Sequence, residues 1–315
     1  MKKKNQTNGM RRRQFLQKTS AFAATAMFLP VEGLELFSLN NTVIQTSSIP
    51  TVTLNNGIEM PMLGFGTNTL RDAIGVQAVS DAISVGYRLI DTAHIYGNEE
   101  SVGEGIKQSG IKREELFITS KLWVDDAGYE STKEAFQTSL DKLGLAYLDL
   151  YLIHRPRGDV KGTWKAMEAL YEEGKIKAIG VSNFSPEQLE ELMGYAKIKP
   201  MVNQIETHVF FQQGNSYDYL KKSGIQMESW SPFAAGRNDV FNNQTLADIG
   251  KKYGKSNAQV SLRWHYQRGI VAIPRSRQKA HMIENLDIFD FELSESDMKD
   301  IAKLDLNITQ FPEWE

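Results

Sequence analysis

From Thr51 onward, short apolar runs alternate with longer stretches of helical period, and this alternation limits the fold more than any other feature. Eight runs have strand character, at 62–66, 87–93, 116–122, 148–154, 176–182, 201–206, 225–231 and 270–274. Helical periodicity fills 72–85, 98–109, 130–143, 160–173, 185–193, 243–253 and 256–268, with a last helix over 294–304. Strand–helix alternation implies parallel pairing through right-handed crossovers. Eight evenly spaced units within residues 49–315 fit one (β/α)8 TIM barrel better than a doubly wound sheet. A dinucleotide-binding glycine fingerprint is missing, since "GFGTNT" at 64–69 lacks the required helix spacing. Ahead of the first unit, "TVTLNNGIEMPM" reads as a β-hairpin turning at Asn56-Gly57 and closing the barrel bottom. Ser185-Pro186-Glu187 starts a helix, with a capping serine before proline at the first helical position.

Residues 1–48 stand apart from this pattern. Lysines and the arginines Arg11 to Arg13 precede Phe15-Leu16 and an apolar run from Ala21 to Leu29. That order resembles a twin-arginine export signal, with Arg12 and Arg13 as the pair. The run is shorter than the ~20 residues of a membrane span, so no stable membrane anchor is expected. The signal implies the twin-arginine machinery as a partner and a periplasmic location. The alternative is a basic arm on a cytoplasmic protein. Net charge is −3, which provides no nucleic-acid-binding field. The absence of cysteine excludes disulfides, thiolate catalysis and zinc–sulfur sites.

In a TIM barrel the catalytic groups stand at the carboxyl ends of the strands. Those ends carry Asp91 with Tyr96 just beyond, then Lys121 and Trp123, then His154 and Arg155. Ser182 and Asn183, Gln204, Trp230 and Ser231, and finally Arg275, Ser276 and Arg277 complete a polar ring. Four members make chemical sense together. A phenol is a poor acid near neutrality, with a reference pKa of about 10. An ammonium from Lys121 stabilises its phenolate, and Asp91 holds Lys121 charged and oriented. His154 hydrogen-bonds a carbonyl oxygen from the other side. The ring holds no nucleophile and no metal cage, so carbonyl reduction with an external hydride is the fitting reaction. The rest then reads as a nicotinamide cradle. Trp230 offers a stacking face, Ser182, Asn183 and Gln204 suit a carboxamide, and Arg275, Ser276 and Arg277 suit a phosphate.

The motifs "MPMLGFGT", "LIDTAHIYGNEESVGEGI", "ITSKLW", "LYLIH", "IKAIGVSNF", "NQIE" and "IPRS…ENLDIFDFELS" occur in an order that resembles the aldo-keto reductases from about Thr51 to Leu306. The bacterial diketogluconate reductase-like branch is the most similar. The resemblance implies Asp91, Tyr96, Lys121 and His154 as catalytic tetrad, and Trp123, His154 and Arg155 as substrate contacts. It also implies a cofactor surface that adds Gly66, Thr67, Asp91, Ser231, His281, Glu284 and Asn285 to the cradle. NADP(H) is the expected cofactor, with NAD(H) as a weaker substitute, a small carbonyl compound as substrate, and a monomer as the working form. Two positions depart from the family. Arg155 stands where tryptophan is common, either facing an acidic or polyhydroxylated substrate or turning outward to Asp159. His281 stands where NADP-dependent relatives carry arginine. The short tail "DLNITQFPEWE" implies an open site. Competing readings are a nucleotide-binding regulatory or sensor module with little turnover, and a lyase using Lys121 as a Schiff base.

Overall fold

The computed structural model describes residues 49–314, and the export-signal reading falls on residues 1–48, outside them. The described part opens on a hairpin of β1 (Thr51–Thr53) and β2 (Glu59–Pro61), paired antiparallel. Its turn is wider than a two-residue Asn-Gly turn. Gly57 N–H donates to the Leu54 carbonyl at 2.8 Å and Gly57 takes φ 85°, so Asn55-Asn56-Gly57 form the loop. Asn55 donates to the carbonyls of Pro200 and Gly224, and Asn56 to that of Lys177. These carbonyls precede or begin later strands, so the hairpin lies across the bottom of the barrel.

The barrel strands are β3 (Gly64–Gly66), β4 (Leu89–Asp91), β5 (Phe117–Leu122), β6 (Leu148–Ile153), β7 (Ile176–Ser182), β8 (Val202–Glu206), β9 (Gln226–Trp230) and β10 (Val271–Ala272). They pair in chain order, all parallel. A parallel bridge between Leu63 and Ala272 closes the ring, and Gly66 N–H donates to the Pro274 carbonyl at 3.0 Å. A β-carbon on Gly66 would lie 2.8 Å from the Ile273 carbonyl oxygen, so the closure requires glycine here. Every residue of β5 and β6 is buried, as expected when one face meets the barrel axis and the other a helix.

The outer layer holds α1 (Asp72–Val85), α2 (Glu99–Ser109), α3 (Tyr129–Leu143), α4 (Val160–Glu172), α5 (Pro186–Met193), α6 (Gly214–Ser223), α7 (Gln244–Tyr253), α8 (Asn257–Gln267), α9 (Lys279–Leu286) and α10 (Glu295–Ala302). The expected start of α5 is present, with Ser185 and Gln188 forming a reciprocal capping box. Two helices carry no clear sequence signal. In α6 only Leu220 is buried and the start is a left-handed Gln213, while α9 buries only Met282 and Asn285. Such short, mostly polar segments become helical through tertiary docking rather than through periodicity. Among the described residues, no helix is long and apolar enough to cross a membrane.

Candidate active site

At the carboxyl end of the barrel, a cavity of 490 Å³ opens among the strand ends. Asp91 closes β4 and Lys121 projects from β5, both almost completely buried. Lys121 Nζ donates to Asp91 Oδ1 at 2.6 Å and to the Thr92 carbonyl at 2.8 Å. The same ammonium lies 5.1 Å from the centre of the Tyr96 ring. Tyr96 sits on a short 3-10 turn, His94–Tyr96, whose position depends on Asn98. Asn98 accepts from Thr92 Oγ1 and donates to the carbonyls of Thr67 and Leu70, each at 2.8 Å. Arg71 Nε donates to the Tyr96 carbonyl from the exposed side. The turn that carries the phenol is thus tied to the neighbouring loop after β3.

His154 follows β6, with its ring edge-on to Tyr96 at 5.8 Å and to Trp123 at 5.2 Å. Burial, with the charges of Lys121 and Arg155, holds the His154 imidazole well below its usual range, so the ring is neutral. Burial also raises the Tyr96 phenol, and the Lys121 charge only opposes that rise. This reverses the sequence expectation of a lowered phenol pKa. Desolvating a phenolate costs more than one ammonium at this distance returns. Tyr96 therefore rests as a protonated donor.

The cradle is more internally bonded than the sequence implied. Asn183, with φ 63°, accepts from Trp230 Nε1 at 2.8 Å and donates to both the His154 carbonyl and Ser182 Oγ at 3.0 Å. Gln204 Nε2 donates to Asp91 Oδ2 at 2.8 Å and to Glu228 Oε2 at 2.9 Å. Both amides have spent their protons inside the protein. The Gln204 carbonyl oxygen remains as an acceptor. Gly66, Thr67, Asp91, Tyr96, His154, Arg155, Ser182, Asn183, Gln204, Trp230, Ser231 and Arg275 all line the cavity. Trp123 reaches it only through the His154 ring. Ser276, Arg277, His281, Glu284 and Asn285 lie outside its lining, along α9 and the loop before it. Glu284 bonds Ser256 across to α8, and Asn285 is buried. Arg275 donates to the Asn68 carbonyl and to Thr69, bridging the two edges of the barrel seam.

The C-terminal tail overturns the expectation of an open site. Thr309 Oγ1 and Gln310 N–H both donate to Glu206, the last residue of β8. Arg237 ion-pairs with Glu313 and lies over the Phe311 ring at 4.1 Å. Trp314 then stacks on Trp230 with centroids 5.4 Å apart, and both Phe311 and Trp314 line the cavity. Sequence reasoning missed Glu206, Arg237 and Glu228. Strand alternation is the signal that would have found Glu228, because it shares the inward face of Trp230.

A barrel of this form with these strand-end groups has known relatives. The Aldo/keto reductase family model matches residues 62–306. The chain belongs to the Aldo/keto reductase family. Glyoxal reductase of Bacillus subtilis (strain 168) is 54% identical to this aldo-keto reductase over 261 residues, covering 82% of this chain and 94% of that protein. Among solved structures, an aldo-keto reductase from a Medee basin deep-sea metagenome library superposes with a TM-score of 0.80 at 50% identity, covering 82% and 96% of the two chains. A Bombyx mori aldo-keto reductase in complex with NADP superposes with a TM-score of 0.79 at 35% identity, covering 84% and 95%. Family membership makes the protein an oxidoreductase.

Proposed function

We propose that this aldo-keto reductase reduces small reactive carbonyls, α-dicarbonyls among them, with NADPH as reductant and Tyr96 as proton donor. The carrying observation is the hydrogen-bonded chain Asp91–Lys121 set against the Tyr96 phenol at the cavity wall. The cavity suits a nicotinamide ring. Trp230, packed by Trp314 and Phe311, presents its indole to the cavity, and the Gln204 side-chain oxygen is a ready acceptor for a carboxamide N–H. Bound NADPH supplies the hydride. As the substrate oxygen gains charge, neutral His154 donates an N–H to it and Tyr96 gives up its phenolic proton. Lys121 stabilises the phenolate left behind, and Asp91 holds the ammonium in place. Arg275 and Arg277 favour the additional phosphate of NADPH, a reading supported by the NADP complex of the Bombyx mori relative.

Arg155 directs the substrate side. It lines the cavity, half-buried, and makes no ion pair among the described residues. Asp159, its expected partner, instead caps α4 by accepting from Gly162 N–H at 2.8 Å. An unpaired guanidinium in the wall suits carbonyls carrying a carboxylate or several hydroxyls. The glyoxal reductase relative supports a dicarbonyl substrate. Steady-state NADPH consumption with glyoxal, methylglyoxal and a 2-oxo-aldehyde acid tests the reading, and no turnover with any of them refutes it. We propose further that residues 1–48 export the folded enzyme by the twin-arginine route. Arg12→Lys/Arg13→Lys should then hold the enzyme inside the inner membrane, and identical fractionation of both forms overturns export.

A further inference from the structure

We propose that Glu228 is a positioning residue that acts on the Tyr96 phenol through Gln204, Asp91 and Lys121. It stands in the middle of β9, in register with Gln204 of β8 and Val271 of β10, and is completely buried. The single hydrogen bond of its carboxyl among the described residues is the one from Gln204 Nε2 to Oε2, and Oε1 is buried without a partner. A carboxyl is a costly group to place here, because burial penalises its charged form.

The geometry shows what the carboxyl does. Gln204 lies between two carboxyl groups and gives one amide proton to each. Flipping the amide would set its carbonyl oxygen against the ionised Asp91, so the pair of carboxyls dictates its orientation. That orientation turns the Gln204 carbonyl oxygen, rather than its N–H groups, to the cofactor side. The groups that face Glu228 and carry or acquire charge are Asp91 from β4, Tyr96 from the loop after it and Lys121 from β5. There are two carboxyls and one ammonium. Lys121 donates to Asp91 and not to Glu228, so Asp91–Lys121 is the ionised pair and Glu228 keeps its proton. Burial, reinforced by the Asp91 charge, pushes the Glu228 carboxyl up to about 8.

A neutral Glu228 adds no second negative charge to the one that Asp91 already sets against Lys121 beside the phenolate that forms as Tyr96 donates. Loss of the Glu228 proton adds a negative charge near the phenol and makes Tyr96 a weaker acid. Glu228 thus sets an upper pH edge for proton donation without touching the reacting atoms. The inference rests on reduction through Tyr96 but on no particular substrate. Any carbonyl that the enzyme turns over can test it, so failure with α-dicarbonyls leaves it standing.

Single-turnover rates of NADPH oxidation measured from pH 6 to 9.5 on the full-length enzyme provide the test. Wild type should show a partial fall of roughly three- to tenfold centred near the Glu228 ionisation, the size expected when one like charge weakens a general acid. Glu228→Gln, which keeps volume and an acceptor for Gln204, should lose that fall while binding NADPH as wild type does. Glu228→Asp should restore an alkaline fall. Superimposable wild-type and Glu228→Gln profiles would overturn the proposal. So would a uniform loss of rate and NADPH binding at every pH, which marks a merely structural role. Infrared titration of the wild type gives an answer even if Glu228→Gln fails to fold. A protonated buried carboxyl must persist at pH 7 and disappear above pH 8, and its absence at pH 7 also overturns the proposal.

Discussion

Replacing Lys121 by methionine separates the catalytic from the structural work of the buried ion pair. The ammonium and the Asp91 carboxylate are almost fully buried and 2.6 Å apart. At an effective dielectric near 20, their attraction is about 6 kcal/mol. Desolvation of the two ions offsets much of this, so the pair adds little net stability. Removing one partner is different, because Asp91 is left as an uncompensated buried charge at a cost of about 3–5 kcal/mol. Asp91 can escape part of that cost by taking up a proton, since burial already pushes its carboxyl upward. In Lys121→Met its folded-state pKa then lies above its unfolded value. The variant should be closest to wild type in mild acid and lose stability as pH rises through the new folded-state pKa. Adding Asp91→Asn removes the charge and should recover most of the loss at pH 8. Urea unfolding of wild type, both single variants and the double variant, at pH 5.5 and pH 8, measures the coupling. Both Lys121→Met forms should remain catalytically crippled, because the ammonium that stabilises the Tyr96 phenolate is gone. A loss below about 1 kcal/mol for Lys121→Met at pH 8, or additive single effects, would refute a dry ion pair beneath the site.

Tyr96→Phe should lower kcat by ~10²–10⁴-fold while NADPH binding stays intact, because the phenol acts only as charge develops; wild-type turnover would remove Tyr96 from the mechanism. Arg275→Ala should weaken NADPH binding and leave NADH nearly unaffected, and equal losses for both would place the additional phosphate elsewhere. Trp314→Ala uncovers one face of Trp230 and one wall of the cavity, so KM for the carbonyl should rise more than kcat falls in steady-state assays. His154 is held neutral by burial, so KM should show no inflection in the ordinary imidazole range near pH ~6.5; a clear inflection there that vanishes in His154→Gln would contradict the neutral ring.

The barrel was legible in the sequence because its signal is local. Strand runs such as 116–122 and helical periods such as 130–143 are read within one window, and strand ends are marked by where an apolar run stops. Asp91, Lys121 and His154 stand at such ends, so their convergence follows once the strands are known to be parallel and in one ring. Tertiary structure alone decided what their neighbours do. Gln204 spends its amide protons on Asp91, 113 residues away, and on Glu228, which leaves its side chain only an acceptor for a cofactor amide. The raised phenol of Tyr96 reflects burial, a property of the closed site rather than of the motif around it. The tail has no strong pattern of its own, and it reaches the site because Glu206, 103 residues earlier, and Arg237 hold it there. Sequence patterning records which face of each element is apolar, whereas hydrogen-bond commitments and desolvation depend on groups that meet only after the ring closes.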